Sequence, residues 1–437
     1  MTSAETRDLL RRIFDAAVAA AHPATCLPPF LPEPPARGKL IVLAVGKAAG
    51  SMAEAAEAHY IDKLGIARDR FTGMAVTRDG YTRPTRAIEM VQAGHPVPDE
   101  SGLQATERVL ALAKDAGADD LVLVLFSGGA SANWTAPAPG LPLAEKQALT
   151  RALLKSGATI SEFNTVRKHL SRIKGGRLAA VATPARVVTL AISDVPGDDP
   201  SIIGSGPTVS DPSTLADSLN ILARRKIELT PAIAEALNNP ANETPKPGHP
   251  AFINSSYRVI ARPADAVAAA AKVARAAGFE PTVLGTDLEG EAREVATAHA
   301  ELARRTAMMG KRALLLSGGE LTVTIRGQGR GGPNQEYALA LSVALAGHPG
   351  IGAVAADTDG TDGGAGKADD PAGAFLDETT LSRAKALGLD PARFLADNDS
   401  TGFFERLGDL LTSGPTYTNV NDLRAVLVDT RVSAGKK

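Results

Sequence analysis

Five short apolar runs in this chain stop at a polar turn, and that repetition limits the fold more than any other feature. Residues 40–45 end at Gly46-Lys47, 121–126 at Ser127-Gly128-Gly129-Ala130-Ser131, and 187–192 at Ser193-Asp194. Later, a run from Leu314 ends at Ser317-Gly318-Gly319-Glu320, and residues 352–356 run into an aspartate-rich loop, 357–364. Wholly apolar runs of this length read as strands buried on both faces. Helical spacing fills much of the sequence between them, as in 48 to about 64, 103–116, 143–157, 161 to about 180, 264–277 and 291–309. Strands alternating with helices imply a largely parallel sheet in each half. Open α/β sheets take ligands beyond the carboxyl ends of their strands, so five such turns point to one shared cleft.

At 437 residues the chain is too long for one ordinary core, and two domains are expected. Residues 238–250 hold four prolines and read as the linker between them. A net charge of −2 gives no case for nucleic acid or an anionic membrane as partner. No apolar run reaches spanning length. The lone Cys26 excludes an intramolecular disulfide and fits a reducing, cytoplasmic setting. Thr2 and Glu5 have capping-box spacing at the start of an amphipathic helix, and Gly435-Lys436-Lys437 reads as a frayed end.

The densest chemistry lies in 314–345. A strand over 321–325 leads to a loop with Gly327, Gly329, Gly331 and Gly332 around one cation, Arg330. The loop opens a helix at Pro333, Asn334, Gln335 and Glu336. Glycines can turn N–H groups toward an anion, a helix start adds partial positive charge, and an arginine fork grips two oxygens. A hairpin tip with a solvated arginine fits the same residues. Lys47 stands at a helix start, where the dipole disfavours a cation, so a phosphate-holding role is expected. Asp194 suits Mg²⁺ beside a phosphate. Asp357, Asp359 and Asp362 resemble a metal loop without the EF-hand layout, and a plain turn explains them equally. Arg167, Lys168, Arg172, Lys174 and Arg177 give helix 161–177 a basic face; such faces are usually solvated, with Lys174–Arg177 as the alternative contact for an anionic substrate. His95 follows a strand and reads as polar lining.

No GxxxxGK[ST] string occurs, no GxGxxG follows a strand with an acidic residue at the right distance, and no GxSxG elbow is present. The seven histidines show no metal-ligand spacing.

Taken together, VGKAAGSMAEAAE, GHPVPDESG, LFSGGASA, FNTVRKHLSRIKGGRLA, ISDVPGDDPSIIGSGPT, LLSGGELTVTIRGQGRGGPNQE and DTDGTDG resemble the glycerate 2-kinase family, whose C-terminal part is the MOFRL domain. The resemblance spans residues 46–363. It implies two α/β domains with the active site in the cleft between them. The first, 1–240, would be a Rossmann-like α/β/α sandwich; the second, 241–437, would be smaller and contain the MOFRL domain at about 311–420. It implies ATP-dependent phosphorylation of D-glycerate at the 2-hydroxyl, with Mg²⁺ or another divalent metal. Lys47, Arg330 and Asp194 take the catalytic positions. Ser127, Gly128, Gly129, Ser131, Gly318, Gly319, Glu320, Asn334 and Gln335 would meet substrate or phosphate, and Asp194 and Asp359 the metal. Glycerate and ATP are the expected partners, and a homodimer is left open. Some members carry the name hydroxypyruvate reductase and belong to tartrate degradation. An NAD(P)H-dependent reductase is therefore the alternative, though it needs a dinucleotide fingerprint and a proton donor.

Overall fold

The computed structural model describes residues 1–364, 367 and 369–430; the basic tail 435–437 lies outside them. The chain forms two compact units, Cys26–Ile260 and Met1–Thr25 with the chain from Ala261 onward.

The first unit is built on a six-stranded sheet. Its strands are β1 (Leu40–Val45), β2 (Phe71–Thr77), β3 (Ile88–Gln92), β4 (Leu121–Phe126), β5 (Arg186–Ile192) and β6 (Ser255–Ala261). Their spatial order is β3-β2-β1-β4-β5-β6. Pairings from β3 through β5 are all parallel. Every residue of β1 and β4 is buried, which is why both read as unbroken apolar runs. A core including Val45, Phe126, Trp134 and Ile173 packs about this sheet, and a second cluster around Leu149, Leu153, Phe163 and Ile221 serves the helical region.

The second unit carries β7 (Glu280–Gly285), β8 (Ala313–Ser317), β9 (Ile351–Asp357), β10 (Gly373–Leu376), β11 (Leu410–Leu411) and β12 (Asp422–Val428). Their order is β11-β10-β9-β12-β8-β7. This sheet is not largely parallel. Only β7 and β8 pair in parallel, while β12 lies antiparallel to both β8 and β9, and β10 is antiparallel to β9 and β11. The helix Pro333–Leu345 still connects two co-directional strands, but the last strand of the chain enters between them. Residues 321–325 are not a strand: Thr322 makes one isolated bridge to Glu291, and the Thr324 N–H donates to the Glu291 carboxylate.

Two boundaries differ from the sequence reading. Residues 238–250 are packed into the first unit rather than strung between units. Asn242 and Thr244 are buried, Arg177 donates to the Asn242 carbonyl, and Glu243 accepts from His169. The helix Ser3–Ala21, begun by the expected Thr2/Glu5 capping box, belongs to the second unit, where Arg7 pairs with Asp409 and Thr418 donates to the Ala21 carbonyl. No helix among the described residues is long and apolar enough to cross a membrane.

In the second unit His299 is buried and its Nδ1 lies 2.8 Å from the Tyr337 hydroxyl. Burial first, then the charge of Arg424, pushes its pKa down to about 4. The unfolded chain binds the proton near 6.5, so the unfolded state holds more protons between about 4 and 6.5. The stability is therefore present above 6.5 and is lost as pH falls through 4. Wild type should lose about 3 kcal/mol more than His299→Gln between pH 7 and 4, read as the difference between their denaturant titrations.

Candidate active site

The order β3-β2-β1-β4-β5-β6 reverses direction between β1 and β4, so the turns after these two strands flank the switch point of the first sheet. Gly46 makes their approach feasible. Its φ is +107°, and a Cβ there would lie 2.5 Å from both the carbonyl oxygen and Oγ of Ser127. Only glycine fits. The Lys47 N–H then donates to the Gly128 carbonyl at 2.8 Å, and the Ala48 N–H to Ser127 Oγ at 2.9 Å. Ser127 is buried, and its hydroxyl braces the two turns rather than facing a ligand.

The two residues that follow are different. Among the described residues, neither Gly128 nor Gly129 donates its N–H to a protein acceptor. The space beside Gly129 is shared by Lys47 and His95: a Cβ on Gly129 would meet the His95 ring at 3.0 Å and Lys47 Cγ at 3.5 Å. One strand over, Asp194 sits half-buried just past β5. Its charge, with those of Asp198 and Asp199, bears on Tyr257, whose pKa burial first of all raises. Lys47, His95, the 128–129 backbone and Asp194 thus follow β1, β3, β4 and β5, all at the carboxyl edge of one parallel sheet.

Among the described residues no three His, Cys, Asp or Glu side chains converge as a metal cage. Mg²⁺ does not need one, because one or two carboxylates with phosphate oxygens suffice. Asp194 fits that donor set. Asp359 is buried, and one of its two carboxylate oxygens takes both the N–H and the hydroxyl of Thr361. It closes a turn.

In the glycine-rich loop of the second unit the N–H groups of 326–330 are taken by the protein itself. The N–H groups of Arg326 and Gly327 go to Asn398 Oδ1, those of Gln328 and Gly329 to Asp397, and that of Arg330 to Asp399. Its glycines lie so close to residues 397–400 and 362 that a Cβ at 327, 329, 331 or 332 would collide. Of the loop's backbone donors only the N–H groups of Gly331 and Gly332 are left, which among the described residues donate to no protein acceptor. It also presents Arg330, exposed and paired with Glu405 at 2.8 Å, and the exposed Arg326 and Gln328.

The helix start after it is likewise taken. Asp362 accepts from the N–H and side-chain amide of both Asn334 and Gln335. These two residues are buried, so they anchor the helix rather than form a substrate wall. Asn334 also donates to Asp422, which pairs with Arg424. Burial raises the Asp362 pKa to about 7, helped by Asp422 and opposed by the N–H of Asn334 and by the N–H and side-chain amide of Gln335. Gly318 and Gly319 are explained by packing, since a Cβ on either would strike residues 286–288. Their carbonyls accept from Arg424. Glu320 is exposed.

The expected helix 161–177 breaks. It runs Ile160–His169, turns through 170–176, and resumes at Arg177–Ala182. The break folds the basic residues inward: Lys168 and Lys174 are buried, and Lys168 pairs with Asp211. Lys146, which the sequence reading did not single out, is also buried. Its signal was present, since it shares the buried stripe of its helix with Leu149 and Leu153.

The sheet order and the polar turns at its switch point define a two-domain α/β enzyme. A model described as a domain of unknown function (DUF4147) matches residues 9–238, and the MOFRL family model matches 313–422. A "D-glycerate 2-kinase" of Thermotoga maritima is 42% identical over 88% of this chain and 89% of its own. A "putative hydroxypyruvate reductase" of Agrobacterium vitis is 48% identical over 97% and 94%. The crystal structure of a glycerate kinase from Thermotoga maritima superposes with a TM-score of 0.85 at 39% identity, covering 97% of this chain and 99% of that one. The chain belongs to the glycerate kinase family that joins DUF4147 and MOFRL domains.

Asp362→Ala would leave four buried donors at the helix start without their acceptor. It should cost about 2–4 kcal/mol, seen as a lower melting temperature, with Asp362→Asn losing less because one acceptor oxygen remains.

Proposed function

We propose that this protein transfers the terminal phosphoryl group of ATP to the 2-hydroxyl of D-glycerate, giving 2-phosphoglycerate and ADP. The observation that carries this reading is the switch point of the first sheet. There Lys47 lies against a turn whose Gly128 and Gly129 N–H groups have no protein acceptor. A cation beside unused backbone donors is an arrangement that stabilises charge on a transferring phosphoryl group.

In this reading the Gly128 and Gly129 N–H groups and the Lys47 ammonium hold phosphoryl oxygens. Arg330, carried on the clamped loop of the second unit, takes the second catalytic position that the family resemblance implies, as a positive charge for phosphoryl transfer. Asp194 would hold a divalent metal, which when bound neutralises phosphate charge; the same carboxylate is the nearest candidate to accept the proton of the 2-hydroxyl. His95, beside Gly129, lines the same space. Phosphoryl transfer depends on positioning and charge, so these groups suffice without a covalent intermediate. The lone buried Cys26 suits a cytoplasmic setting. A place in tartrate degradation rests on the family resemblance alone.

The reductase name borne by the Agrobacterium relative is weighed against the residues. The first sheet has a dinucleotide-binding strand order, but β1 ends in Gly46-Lys47 with no GxGxxG. Incubation with D-glycerate, ATP and Mg²⁺ should release ADP, while hydroxypyruvate with NADH should leave the absorbance unchanged. Lys47→Ala and Arg330→Ala should each lower kcat by about 10²- to 10³-fold with the melting temperature retained. Near-normal turnover in both variants would remove the assignment.

A further inference from the structure

The inward fold of 160–177 brings three cations together in the first unit without a carboxylate. Lys146 is 8% exposed, and among the described residues its ammonium has no hydrogen-bond partner. Lys174 is 1% exposed and reaches the carbonyl oxygens of Ser131 at 3.1 Å and Gly204 at 3.5 Å. Arg167 reaches the same Ser131 oxygen at 3.2 Å. Among the described residues none of the three has an ion pair. Burial lowers all three pKa values, and the positive charges lower the lysines further. Lys146 comes down to about 7, Arg167 to about 10, and Lys174 falls well below its ordinary value.

A second donor points the same way. Asn164, one helical turn before Arg167, is buried; its Oδ1 accepts from Ser205 Oγ, and its Nδ2 has no partner. Ser205 Oγ in turn lies 3.0 Å from Ser131 Oγ. The cluster is thereby tied to the turn that follows β4. Burying like charges without a counter-ion costs stability, and such a cost is characteristic of binding sites rather than of packing.

We propose that Lys146, Arg167, Lys174 and Asn164 form an oxyanion-binding site that takes a carboxylate or a phosphoryl group beside the turn after β4. The site stands on its own donors; only the naming of glycerate or a phosphate as its occupant rests on the kinase reading. The cluster then does for the non-reacting anionic end of a ligand what Lys47 does for the reacting one.

The test uses the full chain, with inorganic phosphate and D-glycerate titrated separately by calorimetry and thermal shift. Wild type should bind at least one and melt higher in its presence. Lys146→Met should melt higher than wild type without any anion, because an unpaired buried ammonium is gone, yet bind at least tenfold more weakly. Lys146→Arg should restore binding, and Lys174→Met serves as the second variant should Lys146→Met fold poorly. Lys155→Met, exposed on the same helix, should bind as wild type does. Loss in the phosphate arm assigns a phosphoryl group, and loss in the glycerate arm a carboxylate. Wild-type affinity in both methionine variants, or no binding of either anion by wild type, overturns the site. ADP release by wild type is followed in parallel. Anion binding without turnover removes the kinase reading and leaves the site; turnover with unchanged binding in the variants does the reverse.

Discussion

The close crossing of the turns after β1 and β4 is the constraint on which the candidate site depends. Gly46 has no side chain, so the Ser127 oxygens can press against its backbone, and that contact lets the Lys47 N–H reach the Gly128 carbonyl. The hydrogen bond spends the Gly128 carbonyl and leaves the N–H groups of Gly128 and Gly129 without protein acceptors. Side-chain charge and backbone donors are therefore held in register by the sheet itself, whose parallel strands fix both turns at one edge. A bulkier residue at 46 would separate the turns before it disturbed any ligand contact.

The two glycine-rich motifs use glycine differently. In the first unit it frees backbone donors. In the second it lets the loop 326–332 lie directly on 397–400, so that Asn398, Asp397 and Asp399 take the N–H groups of 326–330. Asp362 does the same at the following helix start, where a carboxylate meets the positive end of the helix dipole. What remains for chemistry there, among the described residues, is the Gly331 and Gly332 N–H groups and the exposed Arg326 and Arg330, the latter a charge on a clamped stalk. Rigid presentation suits a group whose task is to meet charge developing elsewhere, since little reorganisation is needed at the moment of reaction.

Much of this was legible in sequence. Strands buried on both faces, such as β1 and β4, announce themselves as apolar runs, and the turns that follow them mark the sheet edge. Strand direction was not legible, because a period of two carries no polarity; hence β12 entering antiparallel between β8 and β9 came as a correction. β11 is two residues long and β10 four, below any periodic signal. Leu321, Val323 and Ile325 alternate as a strand would, yet Glu291 takes the Thr324 N–H instead of a neighbouring strand. Proline at 240, 245, 247 and 250 marks the loss of helix, not the loss of packing, so the supposed linker is a connection held on the first unit by the buried Asn242 and Thr244. The glycine loop was ambiguous for a deeper reason: donors left open for phosphate and donors taken by distant side chains such as Asn398, Asp397 and Asp399 have the same local sequence. The basic run 167–177 misled because the break at 170–176 reverses which side of it faces water.

In the proposed mechanism the transferred phosphoryl group sits at the switch point of the first sheet. A crystal structure of the full chain with D-glycerate and a non-hydrolysable ATP analogue locates that group. Its terminal phosphoryl oxygens should lie within hydrogen-bond reach of the Gly128 and Gly129 N–H groups and of Lys47 Nζ. Triphosphate density elsewhere, with those donors facing only solvent, would contradict it.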